Sequence, residues 1–213
     1  MPSHSIKNII FDLGNVLIDI DVPKAYDNLS RVTGLDFHNL DDEAKSVFLK
    51  FETGKIPYVV FFNYITKISR RKAVINDLLP AWNSMLLQIQ PETIELLQSL
   101  SSHYRLYILS NTNETHIQWL DRYLENLGIK QTWYHELFTK VYYSHLINRR
   151  KPDPSCFEYV LRDANILGKE TLFIDDLSEN IEGALEMQID GLIYNRHKEN
   201  LRDQLNKKLE YQN

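Results

Sequence analysis

Cysteine is almost absent from this chain: Cys156 stands alone among 213 residues. A disulfide framework and a cysteine zinc cluster are both excluded, and the flanking Pro154-Ser155-Cys156-Phe157-Glu158 reads as a first helical turn, which predicts a buried structural thiol. Positive charge is also in short supply. With 24 Lys and Arg against 29 Asp and Glu the chain carries a net charge of -5, which argues against nucleic-acid binding and requires any anionic ligand to find a local positive site. Long apolar runs are missing too. No stretch approaches the length of a membrane span, and the opening segment, with Lys7 before Asp12 and Asp19, lacks the charged start and clean apolar span of a signal peptide. The expectation is a cytoplasmic protein that engages neither membrane nor nucleic acid.

What is present is globular. A hydrophobic content of 43% and a charged content of 25% are far from a disordered composition, and the length suits one core with a modest insertion. The chain is organised around Asn8-Ile9-Ile10-Phe11-Asp12-Leu13-Gly14-Asn15-Val16-Leu17, a short apolar run that delivers one aspartate onto a glycine-asparagine turn. Such a run reads as a buried strand, and a carboxylate at its carboxyl end lies where open α/β sheets place their sites. Alone, Asp12 could simply cap the turn. Three later segments make it a candidate for chemistry.

Beyond Leu17 the texture turns helical to about residue 94. Ala25, Leu29 and Val32 form one apolar stripe, Leu40, Ala44, Val47 and Phe48 a second, and Val59, Phe62, Ile65 and Ile68 a third. Pro80 interrupts the next stretch and residues 81–87 resume as helix, so this region is expected to be an all-helical insertion. From Pro91 onward helix and strand alternate, the pattern of a parallel sheet with helices on both faces. Strands are expected at 105–111, 138–144, 171–176 and 192–194, with a closing helix that carries Leu201, Leu205 and Leu209.

Four of these strands lead to Asp12, to Ser110 and Asn111, to the loop holding Lys151, and to Asp175 and Asp176. A carboxylate can attack phosphorus only if the repulsion between two anions is cancelled, which calls for a hard divalent cation, a fixed ammonium and hydrogen-bond donors. Magnesium takes oxygen ligands from one or two carboxylates and keeps waters and a substrate phosphate for the rest. Asp12, Asp176 and the carbonyl of Gly14 are expected to supply that half-shell, with Asp175 behind it. Ser110, the backbone amides after it at Asn111, and Lys151 would hold the phosphate.

In this arrangement the sequence resembles the haloacid dehalogenase-like (HAD) superfamily of aspartate-nucleophile phosphatases. Its four motifs occur in order: Phe11-Asp12-Leu13-Gly14-Asn15-Val16-Leu17, Leu109-Ser110-Asn111-Thr112-Asn113, Arg150-Lys151-Pro152-Asp153-Pro154, and Phe173-Ile174-Asp175-Asp176 with Asn180 and Gly183 beyond. The likeness covers nearly the whole chain, and it extends to the subgroup that contains the bacterial glucose-1-phosphate phosphatases. It implies a Rossmann-like parallel-sheet core, residues 1–20 and 92–213, with a helical cap of the C1 type at 21–91. It also implies a magnesium-dependent phosphatase that acts on a small phosphorylated metabolite, such as a sugar phosphate, through a phospho-aspartate at Asp12.

One departure from the family matters. Most phosphatases of the superfamily carry a second aspartate two positions after the nucleophile, as acid and base; here that position is Gly14. His116, Asp19, Asp21 or Glu52 could replace it, or the substrate's leaving group could need no acid. A third reading is a catalytically weak phosphate-ligand binding or regulatory protein. Glu52, in the turn at 51–55, is also expected to reach substrate hydroxyls. Dehalogenases of this fold lack the second aspartate as well but need no metal, which leaves the Asp175-Asp176 pair without a purpose. Response-regulator receivers carry their acidic pair at the start of the chain, and this chain does not.

Overall fold

The computed structural model describes residues 5–196, 198 and 200–210. After β1 (Asn8–Phe11) the chain forms α1 (Val22–Thr33), α2 (Asp42–Glu52), α3 (Tyr58–Ile68), α4 (Ile75–Asn83) and α5 (Pro91–Ser101) before β2 (Arg105–Ser110). It continues through α6 (Glu114–Asn126), β3 (Lys140–Tyr143), α7 (Ser144–Ile147), α8 (Pro154–Ala164), β4 (Thr171–Asp175), α9 (Ser178–Glu186), β5 (Asp190–Ile193) and α10 (Leu201–Glu210).

The five strands make one parallel sheet in the order β3-β2-β1-β4-β5, with helices on both faces, the Rossmann-like α/β architecture expected. The strands are apolar runs because both faces are covered. Ile9, Phe11, Leu106, Ile108, Leu172 and Ile174 pack against α5, α6 and α10, whereas Ile10, Tyr107, Leu109 and Phe173 pack against α8 and α9. Cys156 is buried in the second layer, where burial pushes its thiol up to about 12 and leaves it inert. Register decides where the site falls. Phe11 pairs with both Ile108 and Ile174, so Asp12, Leu109 and Asp175 stand level at the carboxyl edge of the sheet.

Helices α1 to α4 share a separate apolar cluster built on Ala25, Leu29, Phe51, Phe61, Phe62 and Trp82. Asp21 caps α1 by accepting from the amide of Lys24 at 3.0 Å, and Pro23 suits its first turn. Two neighbouring strands of chain connect this cluster to the sheet layer. The amide of Asp19 donates to the carbonyl of Gln88 at 2.8 Å, that of Leu87 to Asp19 at 3.0 Å, and that of Asp21 to Met85 at 2.8 Å.

Several local expectations are corrected. Pro80 lies inside α4 instead of interrupting it, because Leu78, Ala81 and Trp82 bury one face of that helix and offset the lost backbone bond. Residues 84–87 leave the helix, since Leu86 bridges to Ile20 in the antiparallel sense. Val59 is exposed, and α3 instead buries Phe61, Phe62 and Ile65. The third strand is shorter than expected, Lys140–Tyr143, and ends where α7 begins at Ser144. No helix among the described residues is long and apolar enough to cross a membrane.

Candidate active site

Asp12 sits one residue past the central strand, and the ammonium of Lys151 lies 2.6 Å from its Oδ1. The same ammonium lies 2.6 Å from Oδ2 of Asp175, with Lys151 only 1% exposed and Asp175 fully buried. Burial alone would strip the proton from Lys151, but the charges of Asp12 and Asp175 outweigh it and hold its pKa above the usual lysine value. Asp12 goes the other way for a carboxyl. Burial raises it to about 6, Lys151 opposes that rise, and the charge of Asp175 adds to it.

Asp175 is saturated with donors. Its Oδ1 accepts from the amide of Leu177 and from Asn180, and its Oδ2 from Lys151 and Asn180, all within 3.0 Å. Asp176 accepts from Asn15 at 3.0 Å through Oδ2 and is half-buried, with its carboxyl raised mainly by burial. Asp12, Asp175 and Asp176 each bring an oxygen within 4.8 Å of the others. Among the described residues the side-chain partners are Lys151 on Oδ1 of Asp12 and Asn15 on Oδ2 of Asp176, the backbone amides of Leu13 and of Asp176 itself also donate toward these two carboxyls, and no hydrogen bond reaches the carbonyl of Gly14. This all-oxygen set, with two carboxyls less fully bonded than their saturated neighbour Asp175 and an open carbonyl, fits a hard divalent cation such as magnesium.

Opposite the acids, Ser110 closes β2 and is buried. The side chain of Asn111 is committed elsewhere: its Nδ2 donates to the carbonyl of Lys151 and its Oδ1 accepts from the Lys151 amide, both at 2.9 Å. Only the backbone amide of Asn111 is therefore free for an anion, and the side chain fixes the lysine loop. Ser144 was not singled out by the sequence. Its hydroxyl lies 2.9 Å from the amide of Thr112, 2.8 Å from the carbonyl of Thr112 and 2.6 Å from the carbonyl of Glu52, tying the turn after β2 to the end of α2.

A cavity of about 300 Å³ opens between this edge of the sheet and the helices α1, α2 and α4. Gly14, Ser110, Asn111, Asn113, Glu52 and His116 lie in its wall beside Tyr26, Phe48 and Trp82. Glu52 is held from outside the cavity by Arg150, with Oε1 at 2.7 Å from Nε, a partner that the sequence alone does not reveal. His116 stacks on Trp82 with ring centres 5.0 Å apart. The Asn113 Oδ1 atom takes the amides of Thr115 and His116 and the Thr115 hydroxyl, so its Nδ2 faces Nδ1 of His116 at 3.1 Å as the donor. Burial pushes the imidazole down to about 3. At neutral pH the ring is therefore uncharged and carries no imidazolium proton to donate.

Asp19 and Asp21 are occupied elsewhere. Asp19 pairs with Arg196 at 2.8 Å and accepts from Gln90 at 2.6 Å, while Asp21 is the cap of α1. Above Gly14 the place of a second acid is taken by an apolar group: a Cβ at residue 14 would lie 2.9 Å from Cδ1 of Ile20. Asn15 and Asn180 belong to the quoted motifs, but their roles as holders of Asp176 and Asp175 emerge only from the folded chain.

Residues 6–187 match the family model described as a haloacid dehalogenase-like hydrolase. A D-ribitol-5-phosphate phosphatase of Bacteroides thetaiotaomicron is 27% identical over 184 residues, covering 85% of this chain and 88% of that protein. The crystal structure of a HAD family enzyme from the same organism, in a magnesium complex, is 32% identical with a TM-score of 0.83, covering 94% of this chain and 98% of that one. A second structure of that enzyme, in complex with magnesium and inorganic phosphate, is 30% identical with a TM-score of 0.78 over 92% of this chain and 97% of that one.

Proposed function

The chain belongs to the haloacid dehalogenase-like hydrolase family, and from that premise we propose that it is a magnesium-dependent phosphatase of a small phosphorylated metabolite, with Asp12 as nucleophile. A sugar or polyol monophosphate is the substrate class we favour. The similar Bacteroides phosphatase acts on D-ribitol 5-phosphate, and the similar HAD structures contain magnesium and phosphate. The observation that carries the reading is the meeting of Asp12, Ser110, Lys151 and the Asp175-Asp176 pair at one edge of the sheet.

In this reading Asp12, Asp176 and the Gly14 carbonyl hold magnesium, which when bound neutralises phosphate charge beside the acidic cluster. Asp175 positions Lys151, and Lys151, Ser110 and the amide of Asn111 bind the phosphate oxygens. The Asp12 carboxylate attacks phosphorus. The bond to the ester oxygen breaks, its electron pair leaves with that oxygen, and the oxygen takes a proton from water because no side-chain acid stands at residue 14. Water then attacks phosphorus and gives its proton to the hydroxide left by the first step, the bond to Asp12 breaks with its pair returning to the carboxylate, and inorganic phosphate departs. Residues 1–20 and 92–213 act as the core and 21–91 as a cap that closes over the site to exclude bulk water, hinging on the paired crossings.

The test is a screen of phosphorylated metabolites with magnesium, reading released phosphate. Release from a sugar or polyol phosphate, abolished by a chelator, is expected. Failure to release phosphate from any monoester would contradict the proposal.

A further inference from the structure

Building on the phosphatase reading, we propose that the cavity is a charge filter: it accepts monophosphates with an uncharged leaving group and rejects those whose leaving group carries a second anion. Glu52, oriented by Arg150, is the specificity-determining residue.

Among the described residues that line the cavity there is no lysine or arginine. A carboxylate or second phosphate on the leaving group would find no cation to receive it. The lining groups able to carry charge are Glu52, Tyr26 and His116, and the buried imidazole of His116 is neutral near pH 7. Glu52 is thus the one carboxylate among the described residues in the wall. Arg150 does not cancel it from within, because its Nε holds Oε1 from the far side, where Arg150 lines a different groove with Lys55 and Arg149. Oε2 of Glu52 has no hydrogen-bond partner among the described residues and is free to accept from a substrate hydroxyl. The phenol of Tyr26 registers this carboxylate: burial raises its pKa, and the charge of Glu52 raises it further.

The position of Glu52 is built rather than incidental. Its carbonyl accepts from Ser144 at 2.6 Å, and the carbonyl of Thr53 accepts from Asn148 at 2.9 Å. Gly54 follows with φ +67°, and a Cβ there would collide with the carbonyl of His145. Glycine is what lets this turn lie against the segment after β3. The backbone that carries the carboxylate is therefore tied to the core, in a cavity that Tyr26, Phe48 and Trp82 also line. Hydroxyls meet an acceptor there, and anions meet repulsion in a partly desolvated space.

The test compares two esters of the same carbon frame, glycerol 3-phosphate and 3-phosphoglycerate, with saturating magnesium. The wild-type chain is expected to favour the neutral ester in kcat/KM by at least about 30-fold, chiefly through KM, since like charges at close quarters are strongly disfavoured. Glu52→Gln should shrink that ratio to below about threefold. Equal kcat/KM for the two esters in the wild type, or an unchanged ratio in Glu52→Gln, would overturn the filter while leaving the phosphatase reading intact. Calorimetric binding of both esters to magnesium-loaded Asp12→Asn protein repeats the comparison without turnover. The same preference is expected, and equal affinities would overturn the filter even if no ester were hydrolysed. Failure of the phosphatase reading looks different, because then no ester of either kind releases phosphate.

Discussion

Lys151 and Asp12 form a buried ion pair, Nζ to Oδ1 at 2.6 Å, at the point where the central strand ends. Lys151 also answers the fully buried Asp175, so Lys151→Met would leave two carboxylates facing each other without a cation. Breaking such a pair costs roughly 3–5 kcal/mol. Chemical denaturation without metal should show a loss of that order. Phosphatase turnover should fall by about 10³-fold or more, because the phosphate loses its fixed ammonium. A variant with near wild-type stability and turnover would contradict both assignments.

The raised carboxyl of Asp12 makes a pH prediction with a definite sign. Its folded value of about 6 exceeds the ordinary 3.8, so the stability that it contributes is full below 3.8 and is lost as pH rises through about 6. In chelator, Asp12→Asn should therefore flatten the Tm profile across that window. Turnover needs the ionised carboxylate, so the wild-type rate should decline as pH falls below about 6, and saturating magnesium should move that decline to lower pH. An acid limb that ignores magnesium would argue against Asp12 as a ligand.

Asp175 and Asp176 are adjacent in sequence but should differ in effect. Asp176 has a single side-chain partner, Asn15, whereas both oxygens of Asp175 are taken by Lys151, Asn180 and the Leu177 amide. Asp176→Ala should raise the magnesium concentration for half-maximal activity by about 10-fold or more. Asp175→Asn should chiefly lower Tm and kcat. Magnesium titrations that rank the two variants in reverse would exchange their roles.

The motifs made this edge of the sheet legible from sequence, because the ligands sit at strand ends whose register follows from apolar runs. Asp12, Asp175 and Asp176 needed only that register to meet, while the loop of Lys151 is brought to them by the Asn111 clamp. The partners of Glu52 and His116 were not legible. Arg150 reaches Glu52 across 98 positions of sequence, and His116 loses its charge through a burial to which Trp82, stacked on it from another helix, contributes. Asn111 was expected to offer its backbone amide to phosphate; the further task of its side chain, clamping the backbone of Lys151, follows only from the folded chain. Pro80 misled because propensity alone weighs against a helix that burial sustains.

Gly14 separates this chain from relatives with a second acid. Because Ile20 fills the space above residue 14, Gly14→Asp alone should gain little, while Gly14→Asp with Ile20→Ala should accelerate alkyl phosphates by up to about 10²-fold and flatten the dependence on leaving-group pKa. Rates on a series of aryl and alkyl phosphates check this. A wild-type rate already independent of leaving-group pKa would show that another group donates the proton.

Acid quenching during turnover shows whether Asp12 carries the phosphoryl group. Peptide mass spectrometry should find phosphate on the segment that contains Asp12, labile to hydroxylamine as an acyl phosphate is, and absent from Asp12→Asn. Continued phosphate release by Asp12→Asn, or phosphate trapped on any other residue, would contradict the account.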